Sequence, residues 1–167
     1  ELILNDVQTT AVPTLYFDYF YYDYAYYDAY GNIDLVAGGN VSFDSLLGPA
    51  WISIAAGGAV SALNADTVSA GSLQVEAVAD LVVGALQTGN LTLISSGNID
   101  LADCTCVSLV LDAGGDITFR TIHAWTISAV AEGSITQAAG IINILSYWYP
   151  TAVFSAGGDL ALLSMVI

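Results

Sequence analysis

One column of oxygen-bearing side chains recurs along the sequence at a fixed position of a repeated phrase. Asp80, Asn98 and Asp116 lie 18 residues apart, and hard oxygen ligands in a row suit Ca²⁺. The competing interpretation is structural, because Asx side chains often bond the backbone of a turn and most members of the column follow a glycine. The sequence favours the structural role and leaves Ca²⁺ as the one cofactor to consider. The full column is Asn40, Ala59, Asp80, Asn98, Asp116, Ser134 and Asp159.

The chain offers few groups for catalysis. His123 is its single histidine, and Arg120 is its single Lys or Arg residue. A Ser–His–Asp triad would need His123 as its base, but no G-x-S-x-G nucleophile motif occurs. A lyase acting on acidic sugars needs cationic groups that this chain lacks. We therefore predict that the protein is not an enzyme.

The two cysteines form the tripeptide Cys104-Thr-Cys106. On a strand they would share a face at about 6.5–7 Å along the chain, a separation that does not suit a local disulfide. A zinc site would need four ligands, and two cysteines with one histidine do not supply them. The sequence predicts that both cysteines are small buried residues.

Two tripeptides match the acceptor for N-glycosylation. They are Asn40-Val-Ser42 and Asn90-Leu-Thr92. Such tripeptides arise by chance in strands rich in Ser and Thr. Asn40 and Asn90 are therefore candidate acceptors and carry no further weight in the functional prediction.

The polar column belongs to a phrase that occurs seven times. In each copy alternating apolar residues lead to a small residue and a Gly-rich turn, and alternation resumes after it, as in I-D-L-V-A-G-G-N-V-S-F at 33–43. Successive copies are 18 to 25 residues apart. A period of this length built from strand alternation is typical of a solenoid. The apolar residue after each turn, which we call the anchor, is Val41, Val60, Leu81, Ile99, Ile117, Ile135 or Leu160.

The columns at even distances from the anchor are apolar, and those at odd distances are mostly polar. Even positions share one face of an extended chain, so these columns are predicted to form the core. The position two residues before the anchor is glycine in six of the seven copies, which indicates a corner that a Cβ would obstruct. The sequence therefore predicts an all-β parallel β-solenoid over residues 31–167, with about eight coils of about 18–21 residues and a length of about 40 Å.

Residues 1–30 depart from the repeat and are predicted to form an N-terminal strand and a Tyr-rich segment. This segment serves either as a cap over the first coil or as an intersubunit surface, since Tyr offers a large contact area with a polar tip. Carbohydrate stacking is a third option. A second aromatic cluster occurs in the longest step of the repeat. The candidate interface residues are Tyr16, Tyr19, Tyr21, Tyr22, Tyr24, Tyr26, Tyr27, Tyr30, Tyr147, Trp148 and Tyr149.

The charge balance excludes one class of partner. Sixteen acidic residues against one basic residue give a net charge of −15. Nucleic-acid binding needs Lys and Arg to displace counterions, so nucleic acid is not a predicted partner. No uninterrupted apolar stretch reaches the length of a membrane-spanning helix, and none is predicted. The chain begins at Glu1 without a signal peptide, so we expect a processed protein or a segment of a larger one.

Three phrases of the repeat resemble those of filamentous-haemagglutinin-type exoproteins, a family of large secreted bacterial adhesins. They are S-L-V-L-D-A-G-G-D-I-T at 108–118, G-S-I-T-Q at 133–137 and S-A-G-G-D-L at 155–160. The likeness extends over residues 31–164. It implies a right-handed parallel β-helix, secretion, an extracellular or cell-surface location, and adhesion or scaffolding without catalysis.

Together these features predict a non-catalytic structural protein. It would be an extracellular filament or surface scaffold or adhesin subunit that self-assembles into a homopolymer through its solenoid ends and aromatic surfaces. Its partners would be further copies of itself and, for an adhesin, host-cell or matrix glycans. The alternative is a carbohydrate-binding or carbohydrate-active β-helix module that uses the Tyr-rich segment as a platform.

Overall fold

The computed structural model describes residues 2–8, 12–18, 23–29, 33–47, 51–62, 68–145 and 150–167. These residues are arranged in strands, and they include no helix long and apolar enough to cross a membrane. The strands are β1 Leu2–Gln8, β2 Val12–Asp18, β3 Asp23–Ala29, β4 Ile33–Ala37, β5 Val41–Leu47, β6 Trp51–Ala56, β7 Val60–Ala62, β8 Val68–Ala77, β9 Leu81–Ser95, β10 Ile99–Thr105, β11 Ser108–Ala113, β12 Ile117–Ala124, β13 Thr126–Ala131, β14 Ile135–Gln137, β15 Ile142–Ile144, β16 Thr151–Ala156, β17 Leu160–Ala161 and β18 Met165–Val166.

The predicted parallel β-solenoid is confirmed. Sixteen of the described strands form one sheet that winds around the core with parallel pairing throughout. The chain passes through three sides in each turn. The first side stacks β4, β6, β8, β9, β11, β13 and β16 in that order. The second side stacks β5, β7, β9, β10, β12, β14 and β17. The third side joins the ends of β5, β8, β9, β10 and β12 to β15 and β18.

The solenoid has about five turns rather than the predicted eight. The five turns between Trp51 and Ile144 each have one turn stacked above and one below. Residues 33–47 and 151–166 lie at the two ends of this stack. The predicted count of about eight is too high because it also included the two end stretches. With a strand spacing of about 4.8 Å, the seven first-side strands span about 30 Å, shorter than the predicted 40 Å.

The N-terminal strand pairs within its own chain. β1 runs parallel to β5 and places Leu2 opposite Val41 and Val7 opposite Leu46, so it adds one strand to the second side and to the third side. β2 and β3 form a separate antiparallel hairpin in which Phe17 lies opposite Tyr24 and Leu15 opposite Tyr26. Among the strands that the structure describes, β2 and β3 pair only with each other.

The core follows the even-position columns of the repeat. Leu93, Leu111 and Ala129 are stacked neighbours on the first side and are fully buried. Size varies along this column, since the small Ala129 is followed by Phe154, whose ring stacks on Phe119 with the centroids 6.3 Å apart. Large and small side chains in successive turns thus fill the interior together.

The third side arises from a break in the strand alternation. Ile117 and Phe119 are buried, and the next two residues both lie on the outside before Ile122 and Ala124 are buried again. Two successive outward residues produce a corner, because side chains of a straight strand must alternate. The third side contributes its own core column, which contains Leu86, Cys104, Ile122 and Ile142.

Gln137 is the one amide in an inward column otherwise made of Phe, Ala, Val and Leu. It is 2% exposed and makes hydrogen bonds with both of its polar atoms. Its Oε1 accepts from the backbone N–H groups of Leu163 at 2.8 Å and Ser164 at 3.1 Å. Its Nε2 donates to the carbonyl oxygens of Gly140 at 3.0 Å and Ala139 at 3.4 Å. Gln137 therefore ties the last turn to the one before it.

Replacing Gln137 by Leu should release the last turn while leaving the interior intact. Leu fits the apolar column, but it leaves the N–H groups of Leu163 and Ser164 without their acceptor. Hydrogen exchange at these two amides should become about tenfold faster or more, a loss of roughly 1.4 kcal/mol of local protection. Exchange at Leu111 should not change. Thr136→Leu, on the neighbouring exposed residue, is the control. Unaltered exchange at 163 and 164 in Gln137→Leu would contradict this role.

Candidate functional site

The polar column forms a ladder of hydrogen bonds along the corner between the first and second sides. In each bond a side-chain oxygen accepts from the backbone N–H of the column residue one turn later. The side chain therefore links neighbouring turns. The bonds run from Ala59 N to Asn40 Oδ1 at 3.0 Å, Asn98 N to Asp80 Oδ1 at 2.8 Å, Asp116 N to Asn98 Oδ1 at 2.8 Å, Ser134 N to Asp116 Oδ1 at 2.7 Å and Asp159 N to Ser134 Oγ at 3.1 Å.

This ladder gives the structural interpretation of the column its physical basis. Each bond satisfies a backbone N–H at a corner, where the strand ladder is interrupted. Asn98 stands between the carboxylates of Asp80 and Asp116 and separates two like charges along the stack. Within the described ranges no group of three or more His, Cys, Asp or Glu side chains is placed to hold a metal ion. Ca²⁺ binding by Asp80, Asn98 and Asp116 stays a prediction.

The glycine column is explained by the same ladder. A Cβ on Gly97 would lie 2.5 Å from Asp80 Oδ1, and a Cβ on Gly115 would collide with Asn98 Oδ1. The same holds at Gly58, Gly133 and Gly158, each against the ladder side chain of the preceding turn. At these five positions glycine is required because a side chain of the preceding turn occupies the space of a Cβ, and none of the five has a positive φ.

The single exception in the glycine column supports this explanation. Ala79 carries a Cβ, and the ladder residue of the turn before it is Ala59, which has no side-chain oxygen to collide with. The two alanines occur together. Next to this gap Ser95 adds a local link, since its Oγ donates to the Ala79 carbonyl at 2.6 Å and accepts from Gly97 N at 3.0 Å.

The last turn presents apolar residues at an open edge. Leu160 occupies the anchor column and is 50% exposed, whereas the anchor below it, Ile135, is 0% exposed. Leu163 and Val166 are also exposed. Inside the stack, the backbone N–H of each anchor donates to a backbone carbonyl oxygen of the following turn. For Ile135 the acceptor is the carbonyl oxygen of Asp159 at 2.9 Å. Among the described strands, β16, β17 and β18 each pair along one edge only.

Arg120 and His123, the two residues considered for catalysis, both lie on β12. Arg120 forms an exposed ion pair with Asp103 at 3.2 Å, which contributes little to stability in water. His123 is half-buried on the third side and lines a shallow groove of about 280 Å³ together with Gln87, Asp103 and Thr105. No serine lines this groove.

The candidate interface and glycosylation residues are placed only in part. Tyr16 lies in β2, and Tyr24, Tyr26 and Tyr27 lie in β3. Asn40 is exposed, and its Oδ1 accepts the ladder bond from Ala59 N. Asn90 is also exposed, and its Nδ2 donates to Ser72 Oγ at 3.3 Å. Both remain candidate acceptors. The interface candidates that lie outside the described residues are Tyr19, Tyr21, Tyr22, Tyr30, Tyr147, Trp148 and Tyr149.

Comparison with known proteins adds no family to these observations. Protein-family models, curated proteins and solved structures give no match to the chain. The likeness to filamentous-haemagglutinin-type exoproteins therefore stays a resemblance carried by the three phrases quoted above. The features that bear on function are the inter-turn ladder and the open edge of the last turn.

Proposed function

We propose that this chain is a non-catalytic structural protein, an extracellular filament or surface scaffold or adhesin subunit, whose turns stack end to end with those of further copies. The observation that carries the proposal is the edge formed by β16, β17 and β18. Among the described strands, each of these three pairs along one edge only, and apolar residues such as Leu160 are exposed there in columns that form the core elsewhere. Open edges of this kind accept a further strand.

The chemistry of this edge suits another turn of the same repeat. Burial of Leu160 beneath a further anchor would remove its apolar surface from water, as already happens at Ile135 and Ile117. Asp159 occupies the ladder position whose oxygen accepts from the following turn, as Asp116 does from Ser134. At the opposite end β1 and β4 each have one unpaired edge among the described strands. Contacts between two different ends do not close on themselves, so they generate filaments.

The net charge of −15 sets the conditions for assembly. Like-charged copies repel at low ionic strength, and the repulsion is screened over about 8 Å at physiological salt. Divalent cations can also bridge carboxylates of neighbouring copies. We therefore expect the average mass in sedimentation velocity to increase with NaCl and further with CaCl₂.

A pair of matched variants tests whether the end edge makes the contact. Leu160→Glu places a charge on the open edge, where it is solvated in the single chain and buried in the stack. Val130→Glu adds the same charge to an exposed valine on the side of the solenoid. Leu160→Glu should sediment as a monomer across the salt series, and Val130→Glu should assemble like the parent. Melting curves close to that of the parent establish that both variants are folded.

Two outcomes would contradict end-to-end assembly. One is a parent protein that stays monomeric throughout the salt and calcium series. The other is assembly that survives Leu160→Glu and is lost in Val130→Glu, which would place the contact on the side faces.

A further inference from the structure

The two cysteine sulfurs lie closer together than two residues on one strand should. Cys104 Sγ and Cys106 Sγ are 3.5 Å apart, and both thiols are free. The spacing of about 6.5–7 Å along the chain applies to two residues on one straight strand. Here β10 ends at Thr105, and Cys106 already belongs to the corner that leads into β11. The turn of the backbone brings the second side chain back toward the first.

The pair is buried in the third-side core. Cys104 stacks between Leu86 and Ile122, and Cys104 and Cys106 are 2% and 6% exposed. The groove beside His123 is lined in part by Cys104, so this member of the pair lies next to a surface opening. Only a small reagent can reach sulfurs this deeply buried.

The hydrogen bond between the thiols makes the two sulfurs unequal. Cys104 donates to Cys106 Sγ, and this bond, with burial, raises the pKa of the Cys104 thiol above its usual range. Attack on an oxidant requires a thiolate, and the raised pKa disfavours the thiolate of Cys104. Cys106 is also the more exposed of the two. These properties favour Cys106 as the attacking sulfur.

We propose that Cys104 and Cys106 form an oxidation site for small hydroperoxides, in which Cys106 attacks first and Cys104 resolves the product to a disulfide. In the first step the Cys106 sulfur bonds to one peroxide oxygen, the O–O bond breaks, and the thiol proton leaves with the second oxygen as water. In the second step Cys104 attacks the sulfenic acid, the S–S bond forms, and hydroxide takes the Cys104 proton and leaves as water.

The two steps together balance in atoms and electrons. Two thiols lose two electrons and two protons, and hydrogen peroxide is reduced to two molecules of water. Bond formation requires the sulfurs to approach from 3.5 Å to about 2.0 Å. Side-chain rotation at the corner can supply much of this approach, because Cys106 is not held in a strand.

Treatment of the folded chain with hydrogen peroxide, followed by mass spectrometry of its fragments, tests the site. The protein is treated folded, then denatured, alkylated with iodoacetamide and cleaved after Arg120, its single Lys or Arg residue. This cleavage separates the cysteines from Met165, which is exposed and oxidises independently. Fragment 1–120 should weigh about 2 Da less than its reduced form and take up no alkyl group, and dithiothreitol should restore two alkylation sites.

Single serine variants test the order of the two steps. Cys104→Ser should accumulate a sulfenic acid at Cys106 that dimedone traps, whereas Cys106→Ser should give little adduct at Cys104. The parent's mass change does not depend on how well either variant folds. A parent that keeps two alkylatable thiols, gains oxygen on fragment 1–120 without losing hydrogen, or forms a disulfide between chains would overturn the site. Equal trapping in both variants, or stronger trapping at Cys104, would overturn the assigned order.

Discussion

Replacing Leu111 by Asp should lower the free energy of unfolding by about 4 kcal/mol or more, enough to unfold many domains of this size. Leu111 is 0% exposed and stacks between Leu93 and Ala129 at the middle of the first side. A carboxylate at this position would be buried with no partner and would leave the space of the leucine side chain unfilled. Urea denaturation followed by circular dichroism measures the loss.

The neighbouring residue provides a matched control. Val110 is on the same strand and is exposed, because side chains alternate between the core and the solvent. Val110→Asp should change the free energy of unfolding by no more than about 0.5 kcal/mol. Equal stability of the two variants would mean that the inward and outward columns are assigned wrongly.

Gly115→Ala should be rescued in part by Asn98→Ala, because the two residues compete for the same space. The new Cβ at 115 would collide with Asn98 Oδ1 and lie 3.1 Å from the carbonyl carbon of Gly97. Alone, Gly115→Ala should cost about 2–3 kcal/mol, and Asn98→Ala about 1 kcal/mol for its bond to Asp116 N. Removing the Asn98 side chain makes room for the Cβ. The double variant should therefore lose less stability than the two single variants together, by about 1 kcal/mol or more.

The chain already contains the natural counterpart of this double variant, Ala59 with Ala79. Ala59→Asn should therefore destabilise the protein while Ala79 remains. Adding Ala79→Gly should restore stability and allow a new ladder bond to Asp80 N. Both double-mutant cycles use urea denaturation. Strictly additive free energies in both cycles would contradict the link between the ladder and the glycine column.

The first and second sides could be predicted from the sequence, and the third could not. Residues such as Leu73, Val75 and Ile117 alternate with polar neighbours, which is sufficient to assign them to the core. The third side begins after two successive outward residues, Arg120 and Thr121, so the period of two is lost there. A spacing of 18 residues between Leu86, Cys104 and Ile122 was the signal that could have revealed it.

The candidate site could be predicted only to the level of its column. The positions of Asp80, Asn98 and Asp116 in the repeat can be read from the sequence. Whether each side chain accepts a hydrogen bond from the next turn depends on distances between neighbouring turns, which the repeat does not specify. The sequence predicted correctly that both cysteines are buried, but the closeness of their sulfurs could not be predicted, for a similar reason. Their separation depends on where β10 ends, and strand ends are not encoded in the alternation.

Electron microscopy of the parent protein at physiological salt with CaCl₂ tests the proposed end-to-end stacking most directly. One chain contributes a rod of about 30 Å. The proposal predicts unbranched filaments many times this length, one solenoid wide, with an axial repeat of about 4.8 Å in diffraction, and it predicts their loss in Leu160→Glu. Isolated particles of single-chain length under all conditions would contradict it.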